Sequence, residues 1–418
     1  MPLLPTMAVP PLPFASARNF VWIVAGCIAL ASGCALEPKL QKWESDYYWT
    51  ERLNVDGQTE LAAKRFAALR KLATAPRDAD EAALMECESQ AHGGKLPEAT
   101  ACYDQLAMSA IDVAMRARAV LHAGELRFYG LHREAEGLAL WQALVERSTD
   151  QPAARRALDH LYLYGGLDMA KRYRMVELFL QFEHADPRSE IADNLLLRAA
   201  MLLEQDGRPE ALKMAADLLE RSWRDHAEDP TIIDALMTRA RVRRLQGKLE
   251  LEAQDLERVV DFYETSYIFA SYAFEEQKTA SLRLVELYRG PLANLERAEF
   301  HARNLPQMLR KPLKLPEYLV LQAEIQEQKG SKLRALDTYR EVLRVVERRN
   351  LDFRQNDQRI CSESETAAER DNCLHELENS TDVEPRQCAL ARERIARLES
   401  ELRQPHLEQH GASDRGQP

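Results

Sequence analysis

The chain has 418 residues, 45% of them hydrophobic and 29% charged, with only 16 glycines and a formal net charge of −11. That length exceeds what one compact core accommodates, so several domains or a repeat array are expected. Residues 1–33 carry one charge, Arg18, which leaves 55 basic against 67 acidic residues in the remainder, a balance of −12 that argues against nucleic acid as a partner. Ala, Leu, Glu and Arg dominate the chain. These side chains lose little freedom in a helix, so the expected class is all-α.

Residues 20–35 form an uncharged, mostly apolar run that follows Arg18 and precedes Glu37. Sixteen helical residues span roughly 24 Å, short of the roughly 30 Å of a hydrocarbon core. A secretory signal over residues 1–33 is therefore expected rather than a spanning helix. Met7 stands as an alternative start. The end of the run, Leu30-Ala31-Ser32-Gly33-Cys34, resembles the lipobox of bacterial lipoproteins, in which the cysteine thiol is acylated and becomes the new N-terminus. Ala31 departs from the larger aliphatic residue preferred there. Val24-Ala25-Gly26-Cys27 fits the local pattern better but leaves a short apolar lead-in, so Cys34 is the expected lipidation site. Ala35 after that cysteine is similar to lipoproteins sorted to the outer membrane, which implies a lipid-anchored tether over residues 34–58. Trp43, Tyr47, Tyr48 and Trp49 lie in that tether. Two readings of them stand open: capping of the first repeat, or contact with lipid headgroups. Residues 59–79 read as an N-terminal capping helix with Leu61, Phe66, Leu69 and Leu72 near one face.

Over residues 80–347 glycines recur at Gly94, Gly130, Gly165, Gly207, Gly247, Gly290 and Gly330. Seven residues before the glycine stands a small residue in most units: Cys87, Ala123, Ala200, Ala240 and Ala323. Five residues after it stand Ala99, Ala135, Ala170 and Ala335, with Ala211 and Ala253 one residue off. Tyr103 and Tyr339 follow four residues later again. Small residues on facing helices let two backbones approach, and glycine closes the first helix in a left-handed cap. This spacing resembles the tetratricopeptide repeat, most clearly in Gly94-Lys-Leu-Pro-Glu-Ala99 and Gly330-Ser-Lys-Leu-Arg-Ala335. Asp186-Pro187 and Asp229-Pro230 resemble the step that closes each unit of that family. The resemblance implies a right-handed superhelical array, an α-solenoid, whose first helices line a surface that takes protein partners.

Cys87 and Cys102 fall on opposite arms of the Gly94 hairpin at a tight crossing, and a disulfide between them is expected. Cys361, Cys373 and Cys388 admit three pairings between which the sequence does not choose. Residues 348–403 read as an acidic, Cys-containing region with a loop, a short helix near 366–378 and a helix from Arg386 to about Arg403. Residues 404–418 read as a disordered tail. The basic run Arg239-Ala240-Arg241-Val242-Arg243-Arg244, and Arg310-Lys311, are expected to spread over solvated helix faces.

No Cys-x-x-Cys, His-Glu-x-x-His, phosphate loop or Gly-x-Ser-x-Gly occurs, and His406 and His410 lie in the polar tail. No catalytic residue, metal or cofactor is therefore expected. The expected function is a non-catalytic outer-membrane lipoprotein scaffold for protein partners of an envelope assembly, secretion or motility machine, bound to the membrane through its N-terminal lipid. An accessory arm of a cell-wall or polysaccharide enzyme complex, or a receptor for peptide or glycan, are the other readings.

Overall fold

A computed structural model describes residues 38–147, 151–265, 274–308, 315–362 and 386–403. It divides into two units, residues 1–161 and 162–418. The signal, Cys27, Cys34, Arg310-Lys311, the segment near 366–378 with Cys373, and the tail lie outside the described residues.

In the first unit α1 (Pro38–Val55), α2 (Thr59–Leu72), α3 (Pro76–His92), α4 (Leu96–Ser109), α5 (Val113–Glu125) and α6 (Glu134–Arg147) each pack on the next. The boundary falls within α7 (Gln151–Gly165). In the second unit α8 (Met169–Ala185), α9 (Ala192–Asp206), α10 (Pro209–Asp225), α11 (Ile232–Leu245), α12 (Leu249–Thr265), α13 (Phe274–Arg289), α14 (Leu295–Asn304), α15 (Leu315–Gln328), α16 (Lys332–Ser362) and α17 (Arg386–Arg403) continue the pattern. There is no strand among the described residues. The fold is all-α, a tetratricopeptide-like run of consecutive hairpins in which first helices also touch first helices, as α3 touches α5 and α11 touches α13.

The hairpin turn follows one rule. Gly94 takes φ +76, its N–H donates to the Ala91 carbonyl, and the Lys95 N–H donates to that of Gln90, which satisfies carbonyls orphaned at the end of α3. Ala99, five residues on, is fully buried, and Tyr103 fills the space beyond it. Gly330, Ala335 and Tyr339 repeat this geometry. Ala123, Ala200, Ala240 and Ala323 are all buried where the helices cross. Cys87 and Cys102 are joined by a disulfide across the α3–α4 crossing, with Cα atoms 5.5 Å apart.

Three readings change. Residues 38–79 are not a tether plus a single cap, because α1 and α2 form a hairpin of their own. Gly57 has φ +75, and Ala62 and Phe66, five and nine residues later, are fully buried. Leu61 and Leu72 are exposed, and the buried seam of α2 runs through Ala62, Phe66 and Leu69 instead. Second, Gly130 does not turn its hairpin and Ala135 is exposed. A π-helical turn over Leu126–Gly130 extends α5, and His132 takes the left-handed place at φ 55. Five residues on stands Gly137, where a Cβ would lie 2.7 Å from that of Phe128, and nine residues on stands the buried Trp141. The rule therefore holds with a two-residue offset. Ala293 (φ 47), three residues after Gly290, and the buried Ala298 follow the same rule between α13 and α14. Third, Gly165 is a packing residue inside α7, against Met175 and Leu202, while Ala170 is exposed.

The two Asp-Pro steps differ. Asp186-Pro187 directly follows α8, whereas Asp229-Pro230 stands beyond the end of α10 and leads into α11. α16 runs on to Ser362 past the expected change of pattern near 347, and α17 packs on both α15 and α16.

Candidate interaction face

The first helices of the second unit form a face with a groove. On α11, Met237, Arg241 and Arg244 stand four and three residues apart and so share one stripe, while Ile232, Ile233, Leu236 and Ala240 turn into the core. On α13, Thr279, Leu282, Arg283 and Glu286 form the opposing stripe. Leu256 and Glu252 of α12 lie between them and Ala240 completes the wall, around an open cavity of about 430 Å³.

The charges on this rim are mostly committed. Arg241 donates from Nε and Nη2 to the Glu204 carboxylate at 2.7 and 2.9 Å, and from Nη2 to the Thr238 hydroxyl at 3.0 Å. Arg283 donates to the buried Glu252 at 2.8 Å and to Glu286 at 2.9 Å, and the Glu252 hydrogen bond holds its pKa above the usual value. Arg244 is exposed and has no ion pair among the described residues. The basic run is thus only in part a solvated face. Arg239 is 1% exposed, clasped by the fully buried Asp255, and also donates to Glu220 at 2.5 Å. Arg243 reaches Asp255 at 2.6 Å. Burial nonetheless pushes the Asp255 carboxyl up, because desolvation outweighs its three arginine neighbours. What remains is a groove with apolar walls and one uncommitted guanidinium, suited to a side chain with a carboxylate beside it.

The first unit carries a different cluster. The Glu125 carboxylate lies 2.8 Å from His122 Nδ1 and 2.9 Å from His160 Nε2, with Arg156 at 3.3 Å. His160 stacks on Trp141 with centroids 4.4 Å apart, and its Nδ1 lies 3.1 Å from the Tyr129 hydroxyl. Partial burial raises the Glu125 pKa, but the hydrogen bonds from His122 and His160 outweigh it and leave the group at about 2. Among the described residues no grouping of three or more His, Cys, Asp or Glu side chains could hold a metal.

Sequence reading singled out neither the α11–α13 groove nor this cluster. Glu125 and His160 are 35 residues apart, close to one repeat, and that separation was the available signal. Of the expected C-terminal cysteines, Cys388 is buried in α17.

No protein-family model matches the chain, and no curated protein matches its sequence. Solved structures similar to it include the C-terminal part of a TPR repeat-containing protein from Cytophaga hutchinsonii, at 13% identity over 65% of this chain and 99% of that one, TM-score 0.39. Another is a tetratricopeptide repeat protein from Parabacteroides merdae, at 12% identity over 81% and 100%, TM-score 0.28. A third is a Rap protein complexed with competence and sporulation factor, at 12% identity over 88% and 99%, TM-score 0.33. These scores are all below 0.5, and the fold stands on the hairpin packing described above.

Proposed function

We propose that the chain is a non-catalytic scaffold, held at the outer membrane by a lipid on Cys34, that binds a partner protein of an envelope assembly, secretion or motility machine through its first-helix face. The α11–α13 groove carries the reading. Its walls at Met237 and Leu282 accept an apolar side chain, and Arg244 awaits a carboxylate. A glycan fits this face less well, since sugar recognition uses exposed aromatic rings. α9 and α11 contain no aromatic residue, and Tyr288 and Tyr318 on α13 and α15 are buried. The anchor is supported by Leu30-Ala31-Ser32-Gly33-Cys34, and among the described residues no helix is long and apolar enough to cross a membrane.

A photo-crosslinking residue placed at Thr279, in the groove, is compared with one at the exposed Phe300 of α14 in intact envelopes. The expected outcome is one protein captured from position 279 alone and lost with Arg244→Glu. Equal capture from both positions, or glycan binding without protein capture, sinks the reading. Cys34→Ser should abolish labelling by a fatty-acid probe. Labelling that persists would move the anchor to Cys27.

A further inference from the structure

The first and the last described helices differ in their outer faces. α17 is the last described helix of the second unit, and every exposed residue on it is charged, serine or alanine, such as Arg386, Arg392, Glu393 and Ser400. That is the polar outer face a terminal repeat needs to stay soluble. α1 begins the first unit and breaks this rule. Trp43 and Tyr47 turn inward, where Tyr47 meets the ring of Phe66 and Trp43 Nε1 donates to the Leu69 carbonyl at 3.1 Å. Tyr48 and Trp49 turn outward, 54% and 61% exposed, in edge contact with each other, and Val55 is 76% exposed. The four aromatics of this segment therefore split, two into the hairpin and two into solvent.

We propose that the outward face of α1 lies against a lipid surface, as an interfacial contact that fixes how the first unit meets the membrane. This rests on the anchoring reading above. Cys34 stands four residues before Pro38, so acyl chains there would hold the start of α1 within roughly 14 Å of the bilayer. The composition of the face fits headgroup depth. Arg52 lies three residues from Trp49 and four from Tyr48, on the same side of the helix. Lys42 stands two turns before Trp49 on that side, and neither cation has an ion pair among the described residues. Rings with one polar end, flanked by unpaired cations, are the side chains that settle between acyl chains and phosphates. A protein partner suits the face less well. A stable protein interface covers about 800 Å² per side, whereas α1 offers three large apolar side chains with Glu44 and Glu51 beside them.

The test uses the full-length protein in vesicles of phosphatidylcholine and phosphatidylglycerol with brominated acyl chains, which quench tryptophan emission at short range. Beyond residue 33 the chain has four tryptophans, Trp43, Trp49, Trp141 and Trp223. Quenching is expected in the unaltered protein, to be lost in Trp49→Phe and kept in Trp141→Phe and Trp223→Phe. Absence of quenching, its persistence in Trp49→Phe, or crosslinks joining two copies through position 49 would overturn the proposal. The mass of the N-terminal peptide is read separately. Acyl chains on Cys34 without Trp49 quenching leave the anchor standing and defeat this contact. Trp49 quenching by vesicles added to unacylated protein does the reverse.

Discussion

The two units build the same hairpin with different interiors. Among the described residues, the buried polar side chains of the first unit are three hydroxyls, Thr50, Ser89 and Thr100. Each donates to a carbonyl four residues back on its own helix, at 2.6 to 2.7 Å, and asks nothing of a neighbouring helix. Cohesion between its helices comes from rings, a covalent bond and ion pairs that are only partly buried: Tyr47 on Phe66, Phe128 near Trp141, His160 on Trp141, Cys87–Cys102, and Glu125 with His160. The second unit instead buries five carboxylates, on Glu183, Asp193, Glu252, Asp255 and Glu299, and the guanidinium of Arg239. Four of those carboxylates meet a cation on another helix or in the turn that ends it, as Glu183 meets Arg221, Glu252 meets Arg283, Asp255 meets Arg239, and Glu299 meets Lys329 just after α15. Small residues at fixed places set the hairpin, and the other core places are open to either chemistry. A buried charge cannot slide past its partner without losing it, so the second unit's ion pairs also fix which helix turn faces which.

Breaking an ion pair should therefore be the most costly change. Asp255→Ala leaves Arg239 and Arg243 without their shared carboxylate and is expected to cost about 3–5 kcal/mol. Urea unfolding followed at Trp223, over which Arg239 lies at 5.9 Å, should shift while the transition seen by Trp141 stays in place. Replacing the pair together, Arg239→Met with Asp255→Leu, should recover the part of the loss that Arg239 carries, while Arg243 keeps only Glu220. A double variant as unstable as the single one would show that the pair contributes more than mutual compensation. In the first unit the corresponding break is reduction of Cys87–Cys102. Its 15-residue separation corresponds to roughly 3 kcal/mol of loop-closure entropy. Dithiothreitol should lower the Trp141 transition and leave Trp223 unmoved, and the opposite assignment would overturn the division of the chain.

Acid probes the first unit more gently. Glu125 titrates at about 2 in the folded chain, against 4.5 without its neighbours. A depressed carboxylate contributes stability that is present above the unfolded value and lost as pH falls from there through the folded one. The first unit should thus weaken between about pH 4.5 and 2, by on the order of 1–2 kcal/mol after screening by solvent. Glu125→Gln should flatten that part of the pH profile. An unchanged slope would mean that the two histidines do not hold the carboxylate.

Much of this was legible because hairpin packing writes itself at fixed separations. Cys87, Ala99, Ala323 and Ala335 are small for a steric reason that spacing reveals, and the disulfide follows from the same crossing. Gly57, Ala62 and Phe66 obey the same spacing as Gly94, Ala99 and Tyr103, yet the nearby apolar segment drew residues 34–58 toward a tether. The offset at Gly130 was not legible, since it goes with a π-turn and with Trp141 packed on Gly124, where a Cβ would lie 2.5 Å from the indole nitrogen, and neither shows in residue spacing. Nor was the fate of the arginine run. Whether Arg241 or Arg244 is committed depends on Glu204, 37 residues before Arg241, and only the folded chain brings them together.

The turn itself supplies the smallest test, and the sign of the effect decides it. Gly330 has φ +73 and nothing within 4 Å of the place a Cβ would occupy, so Gly330→Ala meets only the backbone strain of a left-handed residue, about 1 kcal/mol of lost stability. His132 holds the equivalent place at φ 55 with a Cβ already present. Its replacement by glycine should relieve that strain and, after the greater freedom of glycine in the unfolded chain is subtracted, gain a few tenths to about 1 kcal/mol. Thermal unfolding of the two variants should move in opposite directions, Gly330→Ala downward and His132→Gly upward. Two downward shifts would mean that the imidazole of His132, rather than the conformation of its backbone, holds the turn after α5.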